Sequence, residues 1–231
     1  MGHSALIKGD NMNQMPLSKD TIRAIIFDLD GVICFTDRFH YQAWKRLADK
    51  LGIYFDEAIN NRLRGVSRMA SLDIILERSE TDYTPSEKER LAAEKNEIYR
   101  ELLKSMTPAD LSDEVRNTLH SLRERGYLLA IGSSSKNTKF ILQRIGLTDF
   151  FDAISDGTDI VHSKPDPEVF LTAAKKLGVP PERCVVIEDA KAGIEAAKAG
   201  DMFAFALNGD AKDCGLEDYN LTRFSDLLYI L

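Results

Sequence analysis

The feature that most restricts how this chain can fold is a rhythm. Short apolar runs rich in β-branched residues each stop at polar or charged residues, and helix-length segments separate them. The clearest run, residues 22–27, stops at Asp28-Leu29-Asp30-Gly31, and residues 127–131 stop at Gly132-Ser133-Ser134-Ser135. A weaker run covers 151–155, another covers 184–187 before Glu188-Asp189, and 202–207 completes the set. Runs of this length without polar alternation suit strands buried on both faces. Strands linked through helices by short turns require a parallel sheet covered by helices on both sides.

The segment after the first strand breaks the rhythm. Phe39, Ala43, Trp44, Leu47 and Leu51 recur at helical spacing, and Gly52 follows as a C-cap. Met69, Leu72, Ile75 and Leu76 share a further face, and Thr84-Pro85-Ser86-Glu87 reads as a capping box opening a helix to about residue 104. No strand is expected between 36 and 105. The fold class is therefore α/β: a doubly wound parallel sheet core, Rossmann-like, with a helical cap inserted after the first strand. Residues 1–20 read as a flexible tail, in part an expression remnant, 21–35 and 106–231 as the core, and 36–105 as the cap.

Composition removes several function classes. Thirty Lys and Arg face 37 Asp and Glu, a net charge of −7, which argues against nucleic acid or an anionic membrane as partner. Cys34, Cys184 and Cys214 form no Cys-x-x-Cys pair, so neither a disulfide framework nor a zinc ribbon is expected. No apolar run approaches the roughly 20 residues that span a bilayer, and the polar N-terminus does not read as a signal peptide. A cytoplasmic monomer acting on a small molecule is the expectation.

Ligands of open α/β sheets bind beyond the carboxyl ends of the strands. Asp28 and Asp30, two residues apart on extended chain, point to the same side. With Glu188 and Asp189 they form a hard-oxygen set suited to Mg²⁺. An ionised carboxylate here is a ready nucleophile, and a neighbour with a raised pKa can serve as acid and then base. Ser133-Ser134-Ser135-Lys136-Asn137 lies just before a helix, where hydroxyls and backbone N–H groups can hold a phosphate. Lys164 adds a positive charge before Pro165. In the cap, Arg64 and Arg68 flank Gly65 at i, i+4, a like-charge pair that an anion would relieve. Each feature alone has a plainer reading as a turn, a cap or a solvated face; four of them meeting at one rim of a sheet do not.

As a set, Asp28-Leu29-Asp30-Gly31, Ser133, Lys164-Pro165 and Glu188-Asp189-Ala190 with Gly193-Ile194 resemble the haloacid dehalogenase-like phosphotransferase superfamily. The resemblance implies a magnesium-dependent aspartyl-phosphate enzyme with Asp28 as nucleophile, Asp30 as acid/base and Lys164 as catalytic cation. Within it the chain is similar to the β-phosphoglucomutase family. That similarity rests on Thr36, His40, Ala43-Trp44, Leu63-Arg64-Gly65-Val66-Ser67-Arg68, Ser71, Lys95-Asn96, Tyr99 and Ser135-Lys136-Asn137. It implies interconversion of β-glucose 1-phosphate and glucose 6-phosphate, primed by glucose 1,6-bisphosphate. Arg68, Ser135, Lys136 and Asn137 would hold the non-transferring phosphate, and Ser133 and Lys164 the transferring one. Thr36, His40, Trp44, Arg64, Gly65, Ser71, Lys95 and Ser134 complete the implied substrate set. The alternative is a sugar-phosphate phosphatase of the same superfamily, which needs only one phosphate site. A receiver domain shares the phosphorylated Asp, but the long insert after the first strand argues against it. Phe35 stands where the family has an acidic residue, and Cys34 reads as a buried packing thiol.

Overall fold

The computed structural model describes residues 21–63 and 66–231. The expected tail and the candidates Arg64 and Gly65 lie outside the described residues. Strand β1 (Ala24–Phe27) leads into helices α1 (Asp37–Lys50), α2 (Glu57–Asn61), α3 (Arg68–Leu76) and α4 (Pro85–Leu103). The chain then alternates through α5 (Asp113–Glu124), β2 (Leu128–Gly132), α6 (Thr138–Arg144), β3 (Ala153–Ser155), α7 (Glu168–Leu177), β4 (Cys184–Glu188), α8 (Lys191–Ala199) and β5 (Phe203–Ala206). A short strand β6 (Tyr219–Asn220) and helix α9 (Leu227–Ile230) close it. The strand order is β3-β2-β1-β4-β5-β6, and the paired strands are all parallel.

The two faces of the sheet are filled differently. Ile25, Phe27, Leu129, Ile131, Val185, Ile187 and Phe205 point into one layer with Val115, Leu119, Leu122 and Leu227. Ala24, Ile26, Ala130, Val186 and Ala204 meet Val169, Phe170, Ile194 and Ala197 in the other. Small residues on that second face let α7 and α8 approach the sheet closely. Helices α1 to α4 enclose a third cluster of their own, built from Trp44, Leu47, Ile53, Phe55, Leu72, Ile75 and Leu91. The helical insert thus has an apolar interior separate from both layers of the sheet. The Thr84 capping box is present as the sequence predicts, with Glu87 N–H donating to the Thr84 hydroxyl and the Glu87 carboxylate accepting from Thr84 N–H.

Three expectations are corrected. A sixth strand forms where none was predicted; Tyr219 pairs with Phe205 at the sheet edge, and two residues are too few to make a pattern in sequence. Strands β1, β2, β3 and β5 begin one or two residues later than the apolar runs, while β4 begins at Cys184 as expected: residue 22 and residue 127 are buried ahead of the ladder, not in it. The chain is not helical up to Arg68; Arg64, the other half of the expected pair, lies outside the described residues. Ser67 is extended, with ψ at 159°, and accepts from Ala70 N–H as the N-cap of α3, so Arg68 opens a new helix.

Candidate active site

Strand register assembles the site. Phe27 of β1 lies level with Ile131 of β2 and Ile187 of β4, so the next residues of these strands emerge along one edge. Asp28 leaves β1 there and still donates its N–H to Ile187 at 3.0 Å. Beside it stand Ser133, just past β2, and Glu188, which ends β4. Lys164, on the loop before α7, reaches into this edge. Its Nζ donates to Asp28 Oδ1 at 2.5 Å and to Glu188 Oε1 at 2.6 Å, with Phe170 beneath it at 4.6 Å. The side chains of this triad are 9%, 10% and 2% exposed for Lys164, Asp28 and Glu188. Removing charges from water is costly unless they are paired and hydrogen-bonded, and here they are both.

Glu188 is an organiser. Its second oxygen accepts from Asp189 N–H at 2.7 Å and Ala190 N–H at 2.8 Å, which fixes the turn into α8. A Cβ at position 193 would sit 1.9 Å from Glu188 Oε1, so only glycine leaves room for this carboxylate. Gly31 does the same for Asp189: at φ +88°, a Cβ there would fall 2.0 Å from Asp189 Oδ2. Both glycines of the sequence pattern are thus spaces reserved for carboxylates.

Burial changes the acidities that sequence alone suggests. Asp28 is not an ordinary carboxyl: burial raises it to about 7, with Lys164 opposing and Glu188 and Asp30 adding to the rise. Asp189 is raised to about 8, again chiefly by burial and then by Glu188 and Asp28. Asp30 is raised to about 6, chiefly by burial and then by the Asp37 charge; the Thr36 hydroxyl, donating to Asp30 Oδ1, opposes the rise. Burial also works against the Lys164 ammonium, but Asp28 and Glu188 outweigh it and hold the lysine well above its usual range. Four carboxylates against one ammonium at a dry edge, all hard oxygen donors, fit a divalent cation such as Mg²⁺. Because both Glu188 oxygens already have partners, Asp28 and Asp189 are the carboxylates best placed to serve it.

The insert contributes a second cluster. Lys95, 2% exposed on α4, lies 2.9 Å from His40 Nδ1 on α1 and 4.6 Å over both the Trp44 and Tyr99 rings. His40 stacks on Tyr99 with centroids 4.1 Å apart. Burial lowers Lys95 to about 7, and the Arg68 charge lowers it further while Asp30 opposes. The same burial, with Lys95 and Arg68, depresses His40. Arg68, His40 and Lys95 therefore form one group of basic side chains, with His40 held toward its neutral form and Lys95 within the influence of Asp30.

A pH prediction follows from Lys95. Its folded pKa lies below its unfolded one, so it costs stability fully below about pH 7, and that cost fades as pH rises toward the unfolded value. Lys95→Met should therefore stabilise the fold most below pH 7, and its advantage in urea unfolding should shrink between pH 7 and pH 10. An advantage that does not change with pH would show Lys95 to be neutral throughout.

The other candidates are scattered around this centre. Ser133 accepts from Ser135 N–H at 3.2 Å, and Ser135 Oγ from Asn137 N–H at 3.2 Å, a chain of turns leading into α6. The Ser134 hydroxyl is buried without a hydrogen-bond partner among the described residues. Lys136 is exposed. Trp44 and Ser71 lie inside the insert, 2% and 4% exposed, so packing is what they visibly do. Cys34 is buried as expected, and burial raises its thiol. Phe35 is 67% exposed. One organiser escaped the sequence reading: Glu168 accepts from Val161 and His162 N–H at 3.1 and 2.7 Å and so shapes the loop that carries Lys164. Its only signal was an acidic residue in the first turn after Asp166-Pro167.

A profile of haloacid dehalogenase-like hydrolases matches residues 22–201. The chain belongs to this family. It is 45% identical over 185 residues to a β-phosphoglucomutase of Bacillus subtilis, covering 79% of this chain and 82% of the relative. A phosphorylated-carbohydrate phosphatase of Thermotoga maritima is 34% identical, covering 78% of this chain and 82% of that one. Among solved structures, a β-phosphoglucomutase of Clostridium difficile superposes with a TM-score of 0.82 at 38% identity, covering 89% and 93% of the two chains. Among the described residues, no helix is long and apolar enough to cross a membrane.

Proposed function

We propose that this enzyme interconverts β-glucose 1-phosphate and glucose 6-phosphate, with residues 36–105 acting as a cap over the sheet edge. The observation that carries the reading is the buried Lys95 amine, 2.9 Å from His40 Nδ1, with the Arg68 charge acting on both. Burial first, and then the Arg68 charge, disfavours the Lys95 ammonium, and a bound anion would relieve both. That is a phosphate site on the insert, distinct from the one Lys164 and Ser133 offer beside Asp28. A mutase must hold two phosphates at once; a hydrolase needs one. The 45% identity to the Bacillus subtilis mutase supports the same choice.

In the proposed cycle glucose 1,6-bisphosphate first primes the enzyme: an Asp28 carboxylate oxygen attacks the phosphorus of one of its phosphates, and the bond from that phosphorus to the sugar oxygen breaks. Asp30 gives its proton to that departing oxygen. The carboxylate of Asp28 must be charged to attack, and Lys164 favours that form against the effect of burial. Glucose 1-phosphate then takes the place of the departing monophosphate. Asp30 takes the proton from its 6-hydroxyl as that oxygen attacks the phosphoryl group on Asp28, and the bond from phosphorus to Asp28 breaks. The bisphosphate so formed reverses its orientation and phosphorylates Asp28 through its other phosphate. Phosphoryl transfer is mostly positioning and charge neutralisation. A Mg²⁺ ion held by Asp28 and Asp189 would supply further neutralisation of phosphate charge. The insert keeps water from Asp28 while the sugar turns.

The identity to the Thermotoga maritima phosphatase favours a second reading, with water as acceptor. A coupled assay with β- and α-glucose 1-phosphate, Mg²⁺ and a trace of glucose 1,6-bisphosphate decides between them. Glucose 6-phosphate from the β anomer is the expected product. Release of inorganic phosphate at the same rate would replace the mutase with the phosphatase.

A further inference from the structure

Helix α4 meets α6 along a seam with three rungs. At one end the Arg144 guanidinium donates to the carbonyls of Lys104 at 2.7 Å and Met106 at 3.0 Å. In the middle Arg100 lies over the Phe140 ring at 5.3 Å. At the far end Asn137 Nδ2 donates to Asn96 Oδ1 at 3.0 Å. Asn96 and Arg100 are four residues apart and so share one face of α4. The rungs differ in kind. Arg144 grips backbone just past the end of α4, where the insert rejoins the core. Asn96 sits two turns further out, and its bond is a single one between side chains of insert and core.

We infer that Asn96 is a positioning residue that couples closure of the insert to phosphate binding through Asn137. Asn137 is 4% exposed at the start of α6, within the Ser-Lys-Asn segment that would hold the non-transferring phosphate. An amide has two N–H donors and one carbonyl acceptor. With one N–H committed to Asn96, rotation of the Asn137 amide is fixed, and its second N–H and its oxygen point in set directions. Opening the insert breaks this bond and frees the amide to turn. Binding of a phosphate to the oriented amide then favours the closed insert by the same free energy by which closure favours the phosphate. The inference rests on the two-phosphate reading for its substrate, but the hydrogen bond itself does not.

The test is a double-mutant cycle of wild type, Asn96→Ala, Asn137→Ala and the double variant. Alanine suits a helix interior, so α4 is retained, and thermal unfolding of each protein checks this. Two quantities are read: KM for glucose 1-phosphate, and the calorimetric Kd for glucose 6-phosphate. Losing a hydrogen bond to a buried partner should raise both about tenfold in Asn96→Ala, with kcat reduced by less than about threefold. In the Asn137→Ala background, adding Asn96→Ala should change them by less than about twofold, since the route of action is already gone. Equal effects of Asn96→Ala in both backgrounds, or no change in Kd, would overturn the coupling. If wild type releases phosphate and makes no glucose 6-phosphate, the mutase reading falls, and the calorimetric cycle still decides the role of Asn96.

Discussion

Asp28→Asn is expected to lower turnover by at least about 10⁴-fold, roughly 5.5 kcal/mol of barrier. An amide is no nucleophile at phosphorus, and it removes the charge that opposes Lys164. The fold should survive, because Lys164 keeps its bond to Glu188 at 2.6 Å and the asparagine oxygen can still accept from it. The unfolding midpoint should therefore move by only a few degrees. Incubation with acetyl phosphate followed by intact mass measurement should show a phosphoryl adduct on wild type and none on the variant. Turnover within about tenfold of wild type, or an adduct on Asp28→Asn, would move the nucleophile to another residue.

Asp30→Asn should separate proton transfer from phosphoryl transfer. A positioned acid/base contributes typically 10²–10⁴-fold, and a sugar alkoxide is a poor leaving group without a proton. Mutase turnover should fall by about that range. Acetyl phosphate carries a leaving group that needs little proton help, so its consumption should fall by less than about tenfold. The wild-type profile should also lose its acid-dependent limb as pH rises through about 6, where Asp30 gives up the proton that burial helps it retain. That limb should be missing from the variant. Equal slowing of both reactions would remove Asp30 from the acid/base role and leave it a partner of Thr36.

The match between the residues and the fold has a clear physical origin. Strands buried on both faces carry an apolar signal that needs no knowledge of their neighbours, so β1, β2 and β4 were legible within two residues. Caps are equally local, and the Thr84 box formed where its residues stand. Asp28, Lys164 and Glu188 were legible as candidates because strand ends in an open sheet are the default ligand edge. What their pattern could not express was the use of Glu188. A carboxylate placed in a metal set by composition turns out to have both oxygens occupied, one by Lys164 and one by the turn into α8.

Sequence by itself determined the architecture and pointed to the strand edge as the place of the site. These are matters of periodicity and chain direction, which act over a few residues. The need for glycine at 31 and 193 came from the carboxylates packed against them. Only the tertiary structure decided the acidities, since burial of Asp28, Asp30 and Lys95 comes from segments distant in the chain. It alone decided that Arg68 joins His40 and Lys95, which stand on three different helices, and that Asn96 meets Asn137 across 41 residues of sequence. Charge interaction and desolvation depend on distance in space, and a linear chain does not state which of its distant side chains will share the same few ångströms.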